Sequence, residues 1–375
     1  MFLLYKEKKR AALIAAFLAV AVISFFAGRY NLLSSSKLLT ISKTIEDHYA
    51  LDFDKEKATD YAAWAYAESL GDPYTEYFNS EEFRLFNDSI NSVYHGLGVT
   101  IDYSSGSALI TDVAEDSSAE KAGILPGDIL VSVDGRVITE ENYGDVVNYI
   151  RGYSEDAVSD DTEMEFTVSR GGEESVYRIK RSSFHIPPVA HSVTDEGVLY
   201  VTLSVFSDES AKEFSELMGE LNGSISAIIL DLRNNGGGQV SSLITIASEL
   251  MPEGPLFSSV NAKGKTTEYK ITDNNYSAVP LAVLVNGESA SASEILSAAI
   301  KQSGRGVLIG TTTYGKGLVQ TIITFGDGSA LKYTDAKYYT YDGSYINEVG
   351  VEPDITVEGE SEQYDEALSY VLGKI

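Results

Sequence analysis

The sequence predicts a multidomain chain of mixed class, α/β + β, in which a β-rich domain precedes an α/β domain with mostly parallel strands. Three observations carry this. Between residues 198 and 310, apolar strands alternate with amphipathic helices, as in a parallel sheet covered by helices. Between about 81 and 184, short strands follow one another with Gly and Pro turns between them. From 38 to 70, apolar and alanine positions mix with charges and neither Gly nor Pro intervenes, which predicts a helical segment.

Taken in order, Leu70-Gly71-Asp72-Pro73 stops the helical segment. One strand starts at Gly96-Leu97-Gly98-Val99 and the next covers 107–113. A short helix over 117–122 ends at Gly123, Leu125-Pro126-Gly127-Asp128 makes a turn, and 129–133 is a strand. A helix follows over 142–151, and the domain closes on two strands joined at Gly171-Gly172, a hairpin signal. Pro187-Pro188 marks the boundary. Beyond it, strands are expected at 198–206, 227–232, 281–285 and 307–310. Phe214, Leu217, Met218 and Leu221 share one helix face, 243–251 reads as helix, and Ala292, Ile295, Leu296, Ala299 and Ile300 share another face. The domains are therefore a basic flank (1–10), an apolar segment (11–28), a helical region (29–80), a β-rich domain (81–184) and an α/β domain (185–375).

Lys6, Lys8, Lys9 and Arg10 precede a run without charge from 11 to 27. Its length is at the low end for a bilayer span, and Phe25 stands where a signal peptidase needs a small residue. The expectation is an uncleaved anchor, its basic flank cytoplasmic and everything after Arg29 outside. A formal net charge of −28 makes nucleic acid a poor partner for the chain. With no cysteine there is neither disulfide nor thiolate chemistry.

Ser289-Ala290-Ser291-Ala292-Ser293-Glu294 sits where a buried strand gives way to a helix, in the crevice where α/β folds bind ligands. Free N–H groups and the helix dipole there favour a developing oxyanion, although the same serines suit a plain helix cap. A nucleophile needs a base, and none of the four histidines lies beyond Val198. The alternative is Lys316 in the loop Gly310-Thr311-Thr312-Thr313-Tyr314-Gly315-Lys316-Gly317. A lysine acts as base only when neutral, and burial lowers its pKa. The loop approaches a P-loop pattern, but Gly317 replaces the hydroxyl that would bind magnesium. In Asp231-Leu232-Arg233-Asn234-Asn235-Gly236-Gly237-Gly238, a strand runs into bare backbone amides that suit an oxyanion hole.

Together these segments resemble the carboxyl-terminal processing peptidases, the tail-specific protease family. The resemblance rests on Leu70 to Phe78, Lys121 to Leu130, Asp231 to Gly238, Ser289 to Glu294, Tyr314 to Gln320, and Gly350-Val351-Glu352-Pro353-Asp354, six segments in the family's order. It implies a crotonase-like α/β serine protease core and a PDZ domain, to be joined with the N-terminal helical segment and the single transmembrane anchor expected above from the residues themselves. It further implies Ser291 as nucleophile, Lys316 as general base and Gln320, one helical turn beyond, as the residue that orients the lysine. The oxyanion hole would use the N–H groups of Ala292 and Gly237. The PDZ domain would bind free C-termini of protein or peptide substrates at Leu97, Gly98 and Val99. Arg151 matches an arginine that couples the PDZ domain to the protease. No cofactor and no metal are implied, and the helical stretch before Leu70 could mediate a homodimer. Departures are Tyr341-Asp342-Gly343 in place of the family's Pro-x-Gly, and Gln302 where some relatives carry an acid. The competing functions are an idle PDZ scaffold on the membrane surface and an acyl-CoA hydratase or hydrolase.

Overall fold

The computed structural model describes residues 37–103, 106–152, 158, 162–221, 223–273 and 276–375. The apolar segment read as an anchor, 11–28, lies outside them, as does the basic flank 1–10. Among the described residues no helix is long and apolar enough to cross a membrane. The chain forms two compact units, one ending at Asn79 and one running from Ser80 to Ile375.

The first unit holds α1 (Lys37–His48), α2 (Lys55–Glu68) and β1 (Glu76–Phe78). The single helical stretch expected over 38–70 is therefore two helices. The second begins at Asp54, whose extended backbone and side chain, accepting the Lys57 N–H at 3.0 Å, start a helix afresh. In the following turn, Asp72 accepts the Tyr74 N–H and the Thr75 hydroxyl.

The second unit opens with α3 (Ser80–Ile90), β2 (Val93–Gly96), β3 (Val99–Asp102), β4 (Ala108–Val113), α4 (Ser118–Ala122), β5 (Ile129–Val133), β6 (Arg136–Val137), α5 (Tyr143–Arg151), β7 (Met164–Arg170), β8 (Glu173–Ile179) and β9 (Ser182–His185). Strands β3-β4-β5-β7-β8 form an antiparallel sheet, and β7 and β8 meet at the Gly171-Gly172 hairpin. Ile110, Ile124, Leu130, Val133, Tyr149, Met164 and Phe166 fill one core. The turn before β5 is locked by Asp128, which is buried and accepts from the Leu125 N–H and from Arg170. Arg170 donating to it holds the Asp128 carboxyl below the usual carboxylate range.

The remainder is β10 (Val189–Val193), β11 (Val198–Leu203), α6 (Asp208–Glu220), β12 (Ala227–Asp231), α7 (Val240–Leu250), β13 (Gly254–Asn261), β14 (Thr266–Ile271), β15 (Leu281–Val285), α8 (Ala292–Gln302), β16 (Val307–Gly310), β17 (Leu318–Thr324), β18 (Ala330–Tyr339), β19 (Ile355–Thr356) and α9 (Glu360–Leu372). The main sheet runs β10-β11-β12-β15-β16-β19, parallel except where β10 meets β11. Its strands are apolar on both faces because both are covered. Ile228 and Leu230 pack with Phe214, Leu243, Ile246 and Leu296 on one side. Ala227 and Ile229 pack with Ala367 and Val371 of α9 on the other. A second sheet, in which β14, β13, β18 and β17 pair antiparallel, was not legible from the alternation.

That second sheet corrects one expectation. Gln320 lies on β17, paired with Thr334 of β18, and not a helical turn beyond Lys316. The run Val319 to Thr324 is rich in β-branched residues, which suit a pleated surface better than a helix.

Candidate active site

Strands β12, β15 and β16 are neighbours, so the turns that leave their carboxyl ends converge. The turn after β15 carries Ser291 at the N-terminus of α8 with φ 57° and ψ −112°. A non-glycine residue there is strained, and the strain holds the serine at a sharp corner between strand and helix. Ser291 is partly exposed, whereas every residue of α8 from Ala292 to Ile300 is buried.

The turns are joined by Glu294, which is fully buried. Its Oε2 accepts the Ser291 N–H at 2.9 Å and the Lys316 N–H at 2.9 Å. Its Oε1 accepts the Gly315 N–H at 2.7 Å and the Thr313 hydroxyl at 2.6 Å. One carboxylate thus receives four hydrogen bonds, and two of its donors are the backbones of Ser291 and Lys316. The Tyr314 N–H adds a bond to the Ser289 carbonyl.

The glycine turn after β12 closes the other side. Gly237 has φ 102°, and a Cβ on it would stand 2.8 Å from Ser291 Cβ and 2.9 Å from the Ala292 nitrogen. Only glycine lets this turn lie against the serine. Asn235, fully buried, holds the turn: its side chain donates to the Leu203 carbonyl and accepts the Gly237 N–H at 2.8 Å. The Asn235 carbonyl accepts from the Ala290 N–H and the Ser293 hydroxyl. The Gly237 N–H is therefore already engaged, while the Ala292 N–H makes no hydrogen bond among the described residues. Arg233 clasps Asp231 and reaches the Glu360 carbonyl and Gln363 of α9. Asp231 also accepts the Tyr200 hydroxyl at 2.6 Å; burial first, and then this bond, push the phenol above its ordinary range.

The structure thus brings Ser291, Ala292, Gly237 and the backbone of Lys316 together. Gln320 sits further along, its side-chain amide 3.5 Å from Thr334 Oγ1. Leu97, Gly98, Val99 and Arg151 all line a separate groove of about 310 Å³, between β3 and α5, with Tyr143, Val147 and Ile150. Gly98 has φ 81°, and a Cβ there would collide with Ser117 at 2.1 Å. Sequence reasoning missed what Glu294 does. The Ser291-x-x-Glu294 spacing is that of a capping box and was readable as a helix start. Its second oxygen, however, is filled from a loop some twenty residues downstream, and no local pattern announces that.

Comparison with known proteins agrees with this layout. The sequence model of peptidase family S41 matches residues 197–357, and that of the PDZ domain matches residues 109–159. A "Carboxy-terminal processing protease CtpA" of Bacillus subtilis (strain 168) is 31% identical over 359 residues, covering 92% of this chain and 76% of that protein. The chain belongs to peptidase family S41. A "Probable CtpA-like serine protease" of Staphylococcus aureus (strain COL) is 32% identical over 329 residues, 86% of this chain. The chain spans 64% of the length of that relative. Among solved structures of similar fold is a photosystem II D1 C-terminal processing protease, at TM-score 0.54 and 28% identity, with 91% of this chain and 92% of that one covered. The S41 match runs from β11 to β19, and the PDZ match begins within β4 and extends past α5.

Proposed function

We propose that this S41 member is an extracytoplasmic serine endopeptidase of the C-terminal processing type, with Ser291 the nucleophile and Lys316 the general base. The observation that carries the reading is the single buried carboxylate of Glu294, which binds the backbones of both residues. In that arrangement the neutral Lys316 amine takes the Ser291 Oγ proton as the oxygen attacks the scissile carbonyl. The resulting ammonium returns the proton to the leaving amine, and water then hydrolyses the acyl-enzyme by the same route. The Ala292 N–H, at the positive end of α8, would stabilise the oxyanion together with an amide of the glycine turn. Gln320 would orient the lysine from β17.

The groove lined by Leu97, Gly98, Val99 and Arg151 is the proposed reader of substrate tails, and Arg151 its proposed link to the peptidase domain. A free carboxylate accepts charge-assisted hydrogen bonds from loop amides, and an apolar last residue suits Val147 and Ile150. No nucleic acid, cofactor or metal enters this scheme. The membrane anchor over 11–28 and a homodimer through the helical region belong to the same proposal.

The proposal is tested with matched peptides, one ending in a free apolar carboxylate and its twin amidated, supplied to the full chain. The amide puts donors where acceptors are needed and leaves loop N–H groups unpaired, at about 1–3 kcal/mol. That corresponds to about 5- to 150-fold weaker binding, read as a higher KM for the amidated twin. Equal KM values would mean that the groove does not read chain ends. No cleavage of either peptide would favour the idle scaffold.

A further inference from the structure

Three alternate residues of the loop that carries Lys316 are fastened to one downstream segment, 346–351. The Thr313 N–H donates to the Val351 carbonyl at 3.2 Å, and the Val351 N–H returns a bond to the Thr313 hydroxyl at 2.7 Å. The Glu348 N–H donates to the Gly315 carbonyl at 2.7 Å. At the third position the clasp changes character. The Gly317 N–H is taken at 3.1 Å by a side chain, Asn347 Oδ1. The fit is close: a Cβ on Gly317 would stand 2.8 Å from the Asn347 nitrogen and 2.9 Å from its Cβ. The Gly317 carbonyl is held from the other side by the Tyr338 N–H of β18 at 3.0 Å. Ile346, buried in the main core, anchors the segment.

We infer that Asn347 is a positioning residue for Lys316. It rests on the reading of Lys316 as base, and adds that the lysine's backbone is set by two side chains. Glu294 accepts the N–H of Lys316 itself, and Asn347 accepts the N–H of the next residue. With both peptide planes fixed, the direction in which the lysine leaves the loop is fixed as well. Asn347 touches no reacting atom in this scheme; it acts through Lys316. The neutral amide matters for a second reason. A carboxylate at the same place could accept the same hydrogen bond, but its charge would favour the ammonium form and work against a neutral base. Among the described residues, the charged side chains on the elements packed against this loop are Glu294 and Lys301 of α8, Glu348 of the segment itself, and Lys332, Asp335 and Lys337 of β18, and the variants below leave all of them in place.

The test compares Asn347→Leu, Asn347→Asp and Lys316→Ala in the full chain by steady-state kinetics across pH, with a melting curve for each. Leucine keeps the branched shape and removes the acceptor; kcat is expected to fall about ten-fold or more, with KM within about two-fold. Aspartate keeps the acceptor and adds charge. The acid limb of its kcat profile should move up by about half a pH unit or more, with near-wild-type kcat recovered at high pH. A folded Asn347→Leu protein with wild-type kcat overturns the inference. If the leucine variant shows no cooperative melt, the aspartate variant decides alone, and an unshifted acid limb overturns it. Lys316→Ala separates this from the underlying reading. Turnover surviving there removes the lysine base and Asn347 with it. A dead Lys316→Ala beside unaffected Asn347 variants removes Asn347 only.

Discussion

Alanine at Ser291 or at Lys316 is expected to lower peptide turnover by about 10⁴-fold or more, with the melting temperature changed by only a few degrees. Nucleophile and base act as one unit, so either loss removes nearly all the covalent chemistry. The fold survives because Glu294 binds these residues through their backbones, and alanine keeps both N–H groups. Histidine should not matter to this chemistry. His95 bonds Asp88 and His185 bonds Glu209, both off the convergent turns, and His191 is exposed on β10. Replacing all four histidines with glutamine is expected to leave turnover within a few-fold and the pH profile without a new inflection. Near-wild-type turnover in Lys316→Ala would remove the lysine as base, and a histidine variant that is dead but folded would reinstate a triad.

Glu294→Ala is expected to be nearly as damaging to activity and far more damaging to the fold. Four donors converge on that carboxylate inside the protein: three backbone N–H groups and one hydroxyl. A buried donor without an acceptor costs about 1–3 kcal/mol, so the loss should reach about 4 kcal/mol even when the Thr313 hydroxyl finds another partner. Turnover should fall by about 10³-fold or more as the Ser291 corner and the Lys316 loop part. Glu294→Gln gives the graded comparison. Its oxygen can stay with Ser291 and Lys316 while its NH₂ donates to the Thr313 oxygen, which also accepts the Val351 N–H, so that the Gly315 N–H and the Thr313 hydroxyl hydrogen lose their acceptor. Denaturant unfolding and turnover should therefore both rank wild type, then glutamine, then alanine. An alanine variant as stable and active as wild type would dissolve the account of Glu294.

The parts of the fold legible in the sequence are those whose signal is local. Strands such as β15 and β16 are short, bounded apolar runs, and the spacing of Ala292, Ile295, Leu296 and Ala299 marks α8 directly. The hairpin at Gly171-Gly172 and the glycine that ends α4 are local backbone chemistry too. What escaped depends on distant partners. Asp54 is the exception, because its cap on the Lys57 N–H is a local helix start only three residues long. Gln320 is expected one helical turn beyond Lys316; the β-branched run Val319 to Thr324 favours a strand locally, but only the distant pairing with β18 fixes where it lies. The site divides in the same way. Ser291, Lys316 and the glycine turn were visible as residue types at strand ends. The hydrogen bonds that join them, through Glu294, Asn235 and Asn347, span some twenty to sixty residues, and periodicity has no means of showing them.

The central claim is that Ser291 is the nucleophile and that Lys316 activates it. The most direct measurement is labelling of the folded full chain with a serine-directed phosphonate probe, the adduct mapped by peptide mass spectrometry in wild type and in Lys316→Ala. The account predicts one adduct, on Ser291, in wild type, and a rate of labelling reduced by about 100-fold or more without the lysine. An adduct on a different serine, or labelling of Ser291 at the wild-type rate in Lys316→Ala, would contradict it.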